Sequence, residues 1–231
     1  MSAAPELLVH AKLRVALHRL RDALPGAAAP DARPGARRAL LLLHGLGERS
    51  PASVPDELAL WPGPIHALDF TGHGASSVPS GGGYTVEILM GDADTALERL
   101  GRATLVGRGL GAYVALLLAG ARPKQVRGAI LRDGPGLAGG GPRPATTSIC
   151  WADERDPGPP DPFALVELSR DVRPPEYATA FVRQAAVLSG LVRPISLCVS
   201  ERASWLLRVA EEPGVEETTL AEALSHYARV E

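Results

Sequence analysis

Short apolar runs punctuated by glycine turns dominate the middle of this chain. Ala39 to Leu43, Ala103 to Val106 and Val126 to Leu131 are apolar at nearly every position, as strands buried on both faces of a parallel sheet are. Ile65 to Leu68 reads the same way and ends at Asp69 before another glycine-rich turn. Between Tyr84 and Leu100 the period changes. Val86, Leu89, Met90, Ala93, Ala96, Leu97 and Leu100 recur at helical spacing with Asp92, Asp94, Glu98 and Arg99 between them, so a helix is expected there with Thr85 as its N-cap. Tyr113 to Ala119 is expected to be a wholly apolar, buried helix.

Before this block, Leu13, Val15 and Leu17 alternate with polar or small residues and suit a half-buried strand. Pro25 to Arg38 reads as an exposed connection. After it, Gly139 to about Pro160 turns into Gly, Pro, Thr and Asp, and helices are expected over Phe163 to Arg170 and Pro175 to Leu188. This stretch, about residues 139–190, is read as a small lid. The pattern resumes with a strand at Ile195 to Val199, a helix at Ala203 to Ala210, a strand at Val215 to Leu220 and a terminal helix carrying His226. Such alternation predicts one α/β domain over 1–231, with a mostly parallel, doubly wound sheet.

Composition narrows the function. With 45% hydrophobic and 22% charged residues the chain is an ordinary globular one. Its net charge of -2 comes without a dense basic stripe, so nucleic acid is not an expected partner. No apolar stretch approaches the roughly 18 to 20 residues of a membrane span, and Glu6, His10, Lys12 and Arg14 break up any secretory h-region. A cytoplasmic protein is expected. Cys150 and Cys198 match neither a disulfide scaffold nor a zinc spacing, and no metal or cofactor is expected. The oligomeric state stays open.

Doubly wound sheets bind ligands beyond the carboxyl ends of their strands. There the sequence has His44-Gly45-Leu46-Gly47, Asp69-Phe70-Thr71-Gly72-His73-Gly74, Gly107-Arg108-Gly109-Leu110-Gly111 and Asp133, with His226 beyond the last strand. In kind, order and spacing this series resembles the α/β-hydrolase superfamily from about Ala39 to the C-terminus. The resemblance implies the α/β-hydrolase fold and makes Gly109 the tip of the nucleophile elbow, where the family carries serine. Glycine tolerates a left-handed tip but offers no nucleophilic atom, so ordinary serine-esterase chemistry is not expected. A serine restored at 109 is expected to fold.

The resemblance also implies an oxyanion hole from the backbone N–H groups of Leu46 and Leu110, a general base at His226, and structural roles for His44, Gly45, Asp69 and His73. For the acid that orients the base, Asp133 is preferred to Glu201, while Ala203 aligns with the usual position; Asp133 also suits a plain turn cap. His10, His18 and His66 show no pattern, and Tyr84 reads as a packing anchor. Two functions remain open: carbonyl chemistry with His226 as base, or a non-catalytic protein binding a small molecule or a partner. Trp151, Phe163 and Phe181 would line an apolar pocket under the lid. A third reading takes Gly107-x-Gly109-x-x-Ala112, with Asp133 about 20 residues on, as a dinucleotide fingerprint.

Overall fold

The computed structural model describes residues 4–26, 34–139, 159–170 and 172–231. Its centre is one eight-stranded sheet in the order β1-β2-β4-β3-β5-β6-β7-β8. The strands are β1 Glu6–His10, β2 Leu13–Arg21, β3 Ala39–Leu43, β4 Ile65–Asp69, β5 Ala103–Arg108, β6 Val126–Arg132, β7 Ile195–Cys198 and β8 Val215–Glu217. β1 and β2 form an antiparallel hairpin, and β2 runs antiparallel to β4. All remaining pairs are parallel.

The helices are α1 Val86–Leu100, α2 Leu110–Ala121, α3 Pro162–Glu167, α4 Pro175–Leu188, α5 Ser204–Val209 and α6 Leu220–Tyr227. Thr85 caps α1 through Ile88 N–H, as its sequence position implies. α2 is buried from Leu110 to Gly120 because α1 and α4 flank it while the sheet lies beneath. Those helices and α5 share one large core with one face of the sheet. The opposite face is thinly covered. Among the described residues, α6 and a 3-10 turn at Asp56–Leu58 close it, around Leu40, Leu42, Trp61, Ile65, Val106, Ile130 and Tyr227.

Several sequence expectations change. β1 was not anticipated, since Leu7 and Val9 of this edge strand are exposed. Pro25 to Arg38 is not wholly an exposed connection: Gly35 and Ala36 are buried in a 3-10 turn at Pro34–Arg37, and Gly35 N–H donates to Ala228 O. The expected lid divides. Residues 140–158 and 171, including Cys150 and Trp151, lie outside the described residues. α4 packs flat on α2, with Ala178, Val182 and Ala185 buried in the main core, so it is the crossover helix between β6 and β7. α3 alone is fastened near the carboxyl ends: Tyr84 donates to Asp161 at 2.6 Å, and Leu168 O accepts from Leu137 N–H.

Candidate functional site

Between β5 and α2 the chain turns through Gly109 at φ +49°, ψ -111°, a left-handed conformation that favours glycine. The neighbouring glycines permit close backbone packing. A Cβ on Gly107 would strike the Gly111 carbonyl, and one on Gly111 would strike Leu43 O. The elbow expected from the sequence therefore stands where the resemblance puts it.

Its interior is already filled. The loop after β6, Asp133 to Gly139, folds back over the tip, and Pro135 O accepts hydrogen bonds from Leu46 N–H at 3.0 Å and Leu110 N–H at 2.9 Å. These are the two donors expected to form an oxyanion hole. A carbonyl of the protein's own chain engages both. A Cβ added at Gly109 would lie 2.5 Å from Gly134 O and closer still to Pro135 O. A serine restored at 109 would therefore have to displace main chain. The space beside the tip, lined by Gly109, Asp133, Gly134, Glu201, Ala203 and Trp205, amounts to about 10 Å³, room for one water and not for a substrate.

The loop that fills the elbow is firmly tied. Leu137 and Ala138 both adopt left-handed φ, +50° and +55°, which costs non-glycine residues on the order of 1 kcal/mol each. Their N–H groups donate to Leu168 O and Ser169 O at the end of α3. Gly139 N–H closes back on Gly136 O. Asp133 is engaged by backbone: its two carboxylate oxygens accept Ser200 N–H at 2.7 Å and Glu201 N–H at 3.1 Å, bracing the loop after β6 to the loop after β7. These bonds also oppose dinucleotide binding, since Asp133 and the first N–H of α2 are both engaged.

His226 is not brought to the elbow. α6 begins at Leu220, where Thr219 and Glu222 form a reciprocal capping box, and runs back toward the amino ends of the strands. Its last turn is fastened there: Tyr227 hydroxyl donates to Arg193 O ahead of β7, and Arg38, just before β3, donates to Val230 O and Tyr227 O. The strands are 5 to 7 residues long there, so at about 3.3 Å per residue His226 lies roughly 15 to 20 Å from Gly109. The ring packs on Tyr227. Burial and Arg193 lower its pKa, with Glu216 opposing. His226 thus stands on the terminal helix that the sequence predicts, in its last turn.

The other motif residues are held in a hydrogen-bonded network. His44 Nδ1 donates to Gly45 O at 2.7 Å, while its Nε2 accepts Phe70 N–H at 3.1 Å. His73 pairs with Thr71 O through Nδ1 and accepts Gly47 N–H at 3.2 Å through Nε2. The two rings stand 5.0 Å apart and clasp the β3 and β4 loops together. Burial holds both neutral, His73 with a pKa of about 4. Asp69 accepts Ser50 N–H, Ala75 N–H and His18 Nε2 at 2.7 to 2.9 Å. Buried Asp92 accepts Thr71 N–H at 2.8 Å and meets His10 Nδ1 at 2.7 Å. His10 and His18 therefore tie the β1–β2 hairpin to the rest, which their isolated positions in sequence concealed.

Tyr84 anchors α3 through its hydroxyl, as noted, and its ring abuts Gly72. Cys198 is a half-buried free thiol whose pKa burial raises to about 11. No described helix is long and apolar enough to cross a membrane.

A family model for the alpha/beta hydrolase family matches residues 40–230. No curated protein sequence matches the chain. Among solved structures, a membrane phospholipase A described as a novel bacterial virulence factor superposes with TM-score 0.52 at 18% identity, over 97% of this chain and 84% of that one. An epoxide hydrolase from Vigna radiata aligns at 22% identity and TM-score 0.42 over 57% of this chain and 39% of its own. The enol-lactonase from Burkholderia xenovorans LB400 aligns at 19% identity and TM-score 0.42, over 55% of this chain and 46% of that one. This chain thus spans less than half the length of the epoxide hydrolase and the enol-lactonase, and at 18% identity the likeness to the phospholipase speaks for the fold alone. With its sheet order, its glycine-tipped elbow and a family match over most of its length, the chain belongs to the alpha/beta hydrolase family.

Proposed function

We propose that this protein is a non-catalytic member of its family that binds a small molecule. The observation that carries the reading is the Pro135 carbonyl bonded to Leu46 N–H and Leu110 N–H. A donor pair engaged by a neutral carbonyl of the same chain cannot stabilise a developing oxyanion until that loop leaves. The lack of a nucleophilic atom at Gly109 supports the same conclusion, as does the placement of His226 toward the amino ends of the strands, away from the elbow. The elbow then serves as a clasp that closes the loop after β6. Binding falls to the cavity on the thinly covered face, about 350 Å³ in volume and lined by residues of β3, β5 and the β3–β4 connection, a size within the usual range for small ligands.

The test is activity-based labelling combined with ester turnover. A fluorophosphonate is expected to leave the wild-type protein unlabelled, and p-nitrophenyl acetate is expected to hydrolyse no faster with the protein than with His226→Ala or with buffer. Hydrolysis that saturates with substrate and disappears in His226→Ala would return the protein to catalysis with His226 as base.

A further inference from the structure

The cavity on the thin face sits where the winding of the sheet reverses. β3 and β5 are adjacent, yet the chain leaves β3 toward β4 on one side and later enters β5 on the other. Such crevices, at the carboxyl ends of the strands, are where open α/β sheets take ligands. Leu42, Leu58 and Val106 supply an apolar floor, and Arg49, Arg108, Arg132, Glu48 and Glu57 supply the polar rim.

The rim has an uneven charge arrangement. Arg108 and Arg132 are partners in the β5–β6 ladder, so their side chains rise side by side from strands about 4.8 Å apart. Like charges so placed repel unless something lies between or beside them. Glu48 grips Arg108 through two contacts, at 2.9 and 3.2 Å, and accepts Gly45 N–H with the same carboxylate. This pair is locked. Glu57 reaches Arg132 only through Nη1, at 2.5 Å, and its side chain is 50% exposed. Among the described residues, Arg132 Nε and Nη2 meet no acceptor, and Arg49 makes no ion pair. Three guanidinium groups therefore face two carboxylates around the cavity.

We propose that this cavity binds a small amphipathic carboxylic acid. Its carboxylate would take the free N–H fork of Arg132, with Arg49 at the mouth, and its hydrocarbon body would lie on Leu42, Leu58 and Val106. A planar carboxylate matches the guanidinium fork through two parallel charge-assisted bonds, and the apolar floor selects against a bare anion. An acid of about six to eight carbons fits a cavity of this class.

This inference rests on the ligand-binding reading above, and titration calorimetry separates the two. The probes are hexanoate, octanoate and phenylacetate, with 1-hexanol and acetate as neutral and tail-less counterparts. The acids are expected to bind at a single site, and hexanol and acetate at least about tenfold more weakly. Arg132→Gln is expected to weaken the acids about ten- to a hundredfold, the value of losing hydrogen bonds to a charged group. Arg132→Lys keeps the charge but loses the fork and should fall between, so a folding defect in one variant does not decide the matter. Hexanol binding as tightly as hexanoate would overturn the acid head-group while leaving a binding protein. Acid binding unchanged in both Arg132 variants would overturn the site. Failure of all the probes would overturn this proposal and weaken the binding reading with it, whereas ester turnover dependent on His226 would overturn the non-catalytic reading alone.

Discussion

Two clefts flank the carboxyl ends of β3 and β5, and they have met opposite fates. On the face covered by α2, the Gly109 tip points into space that the loop after β6 has filled with its own backbone, leaving about 10 Å³. On the face covered by α6, a cavity of about 350 Å³ remains between the same strands. The polar groups differ accordingly. At the elbow both backbone donors are satisfied by Pro135 O, while at the cavity Arg132 keeps unused donors beside an apolar floor. One seven-residue loop, Asp133 to Gly139, accounts for the closed cleft, and it does not reach the open one.

The strongest way to break this comparison is to force the elbow open. Gly109→Ser puts a side chain into the backbone of Gly134 and Pro135, so the loop must move and give up its bonds to Leu46 and Leu110. Overpacking of this kind, with two hydrogen bonds lost, is expected to destabilise the protein by about 3 to 4 kcal/mol. Urea denaturation measures it. Stability within about 1 kcal/mol of wild type would mean that the loop yields readily, and the filled cleft would then be only one of two accessible states.

How much of this was legible depended on whether a residue's role is written in its neighbours. The apolar runs Ala39–Leu43 and Val126–Leu131 and the Thr85-capped helix followed from local pattern, because burial on both faces and helical period leave marks within a few residues. The elbow followed from the glycines that its tight packing requires. What fills the elbow did not. Pro135 lies 26 residues beyond Gly109 in sequence, and no local rule says that its carbonyl turns back toward Leu46 and Leu110. The cavity was equally hidden, since it depends on the register that sets Arg108 beside Arg132. The course of the last helix was hidden for the same reason. His226 stands on the terminal helix that the sequence predicts, but the bonds that hold its last turn at the amino ends of the strands, Tyr227 to Arg193 and Arg38 to Val230, join residues far apart in the chain.

Acid should act on what the two clefts share, the histidine clasp under the β3 loop, since His44 lines the open cavity and Leu46 of the same loop reaches the elbow. Burial and the neighbouring His44 hold His73 at about 4, well below the 6.5 or so of an unfolded chain. A histidine with a depressed folded pKa contributes stability in full above about pH 6.5, and that contribution is lost as pH falls toward 4. For His73 the loss is about 3 kcal/mol, and His44, lowered chiefly by burial, acts in the same direction. His10 opposes them: its bond to Asp92 raises its pKa, so its stabilisation is full below about pH 6.5 and fades as pH rises above that. It is more exposed and weighs less. Glu48 stays ionised through this window: burial pushes its pKa up, but Arg108 and the Gly45 N–H outweigh that and hold it below the ordinary carboxylate value. Denaturation at pH 7 and pH 4.5 should therefore show a marked drop that His73→Gln reduces. A flat profile would remove the histidine clasp from the account.

The smallest expected change in stability comes from Glu57→Gln, and it bears directly on the open cleft. The Glu57–Arg132 pair is partly exposed and made through one nitrogen, so its removal should change stability by less than about 1 kcal/mol. Ligand affinity should change more. Glu57 is the acceptor with which an incoming carboxylate competes for Arg132, and neutralising it both frees the guanidinium and removes a like charge from the ligand's path. Hexanoate is thus expected to bind several-fold more tightly to Glu57→Gln than to wild type, with hexanol unaffected. Because Glu48 is held by Gly45 as well as by Arg108, Glu48→Gln should disturb the β3 loop instead and improve binding far less. Equal gains from the two variants would indicate that ligand charge responds to the general field of the rim and not to Arg132.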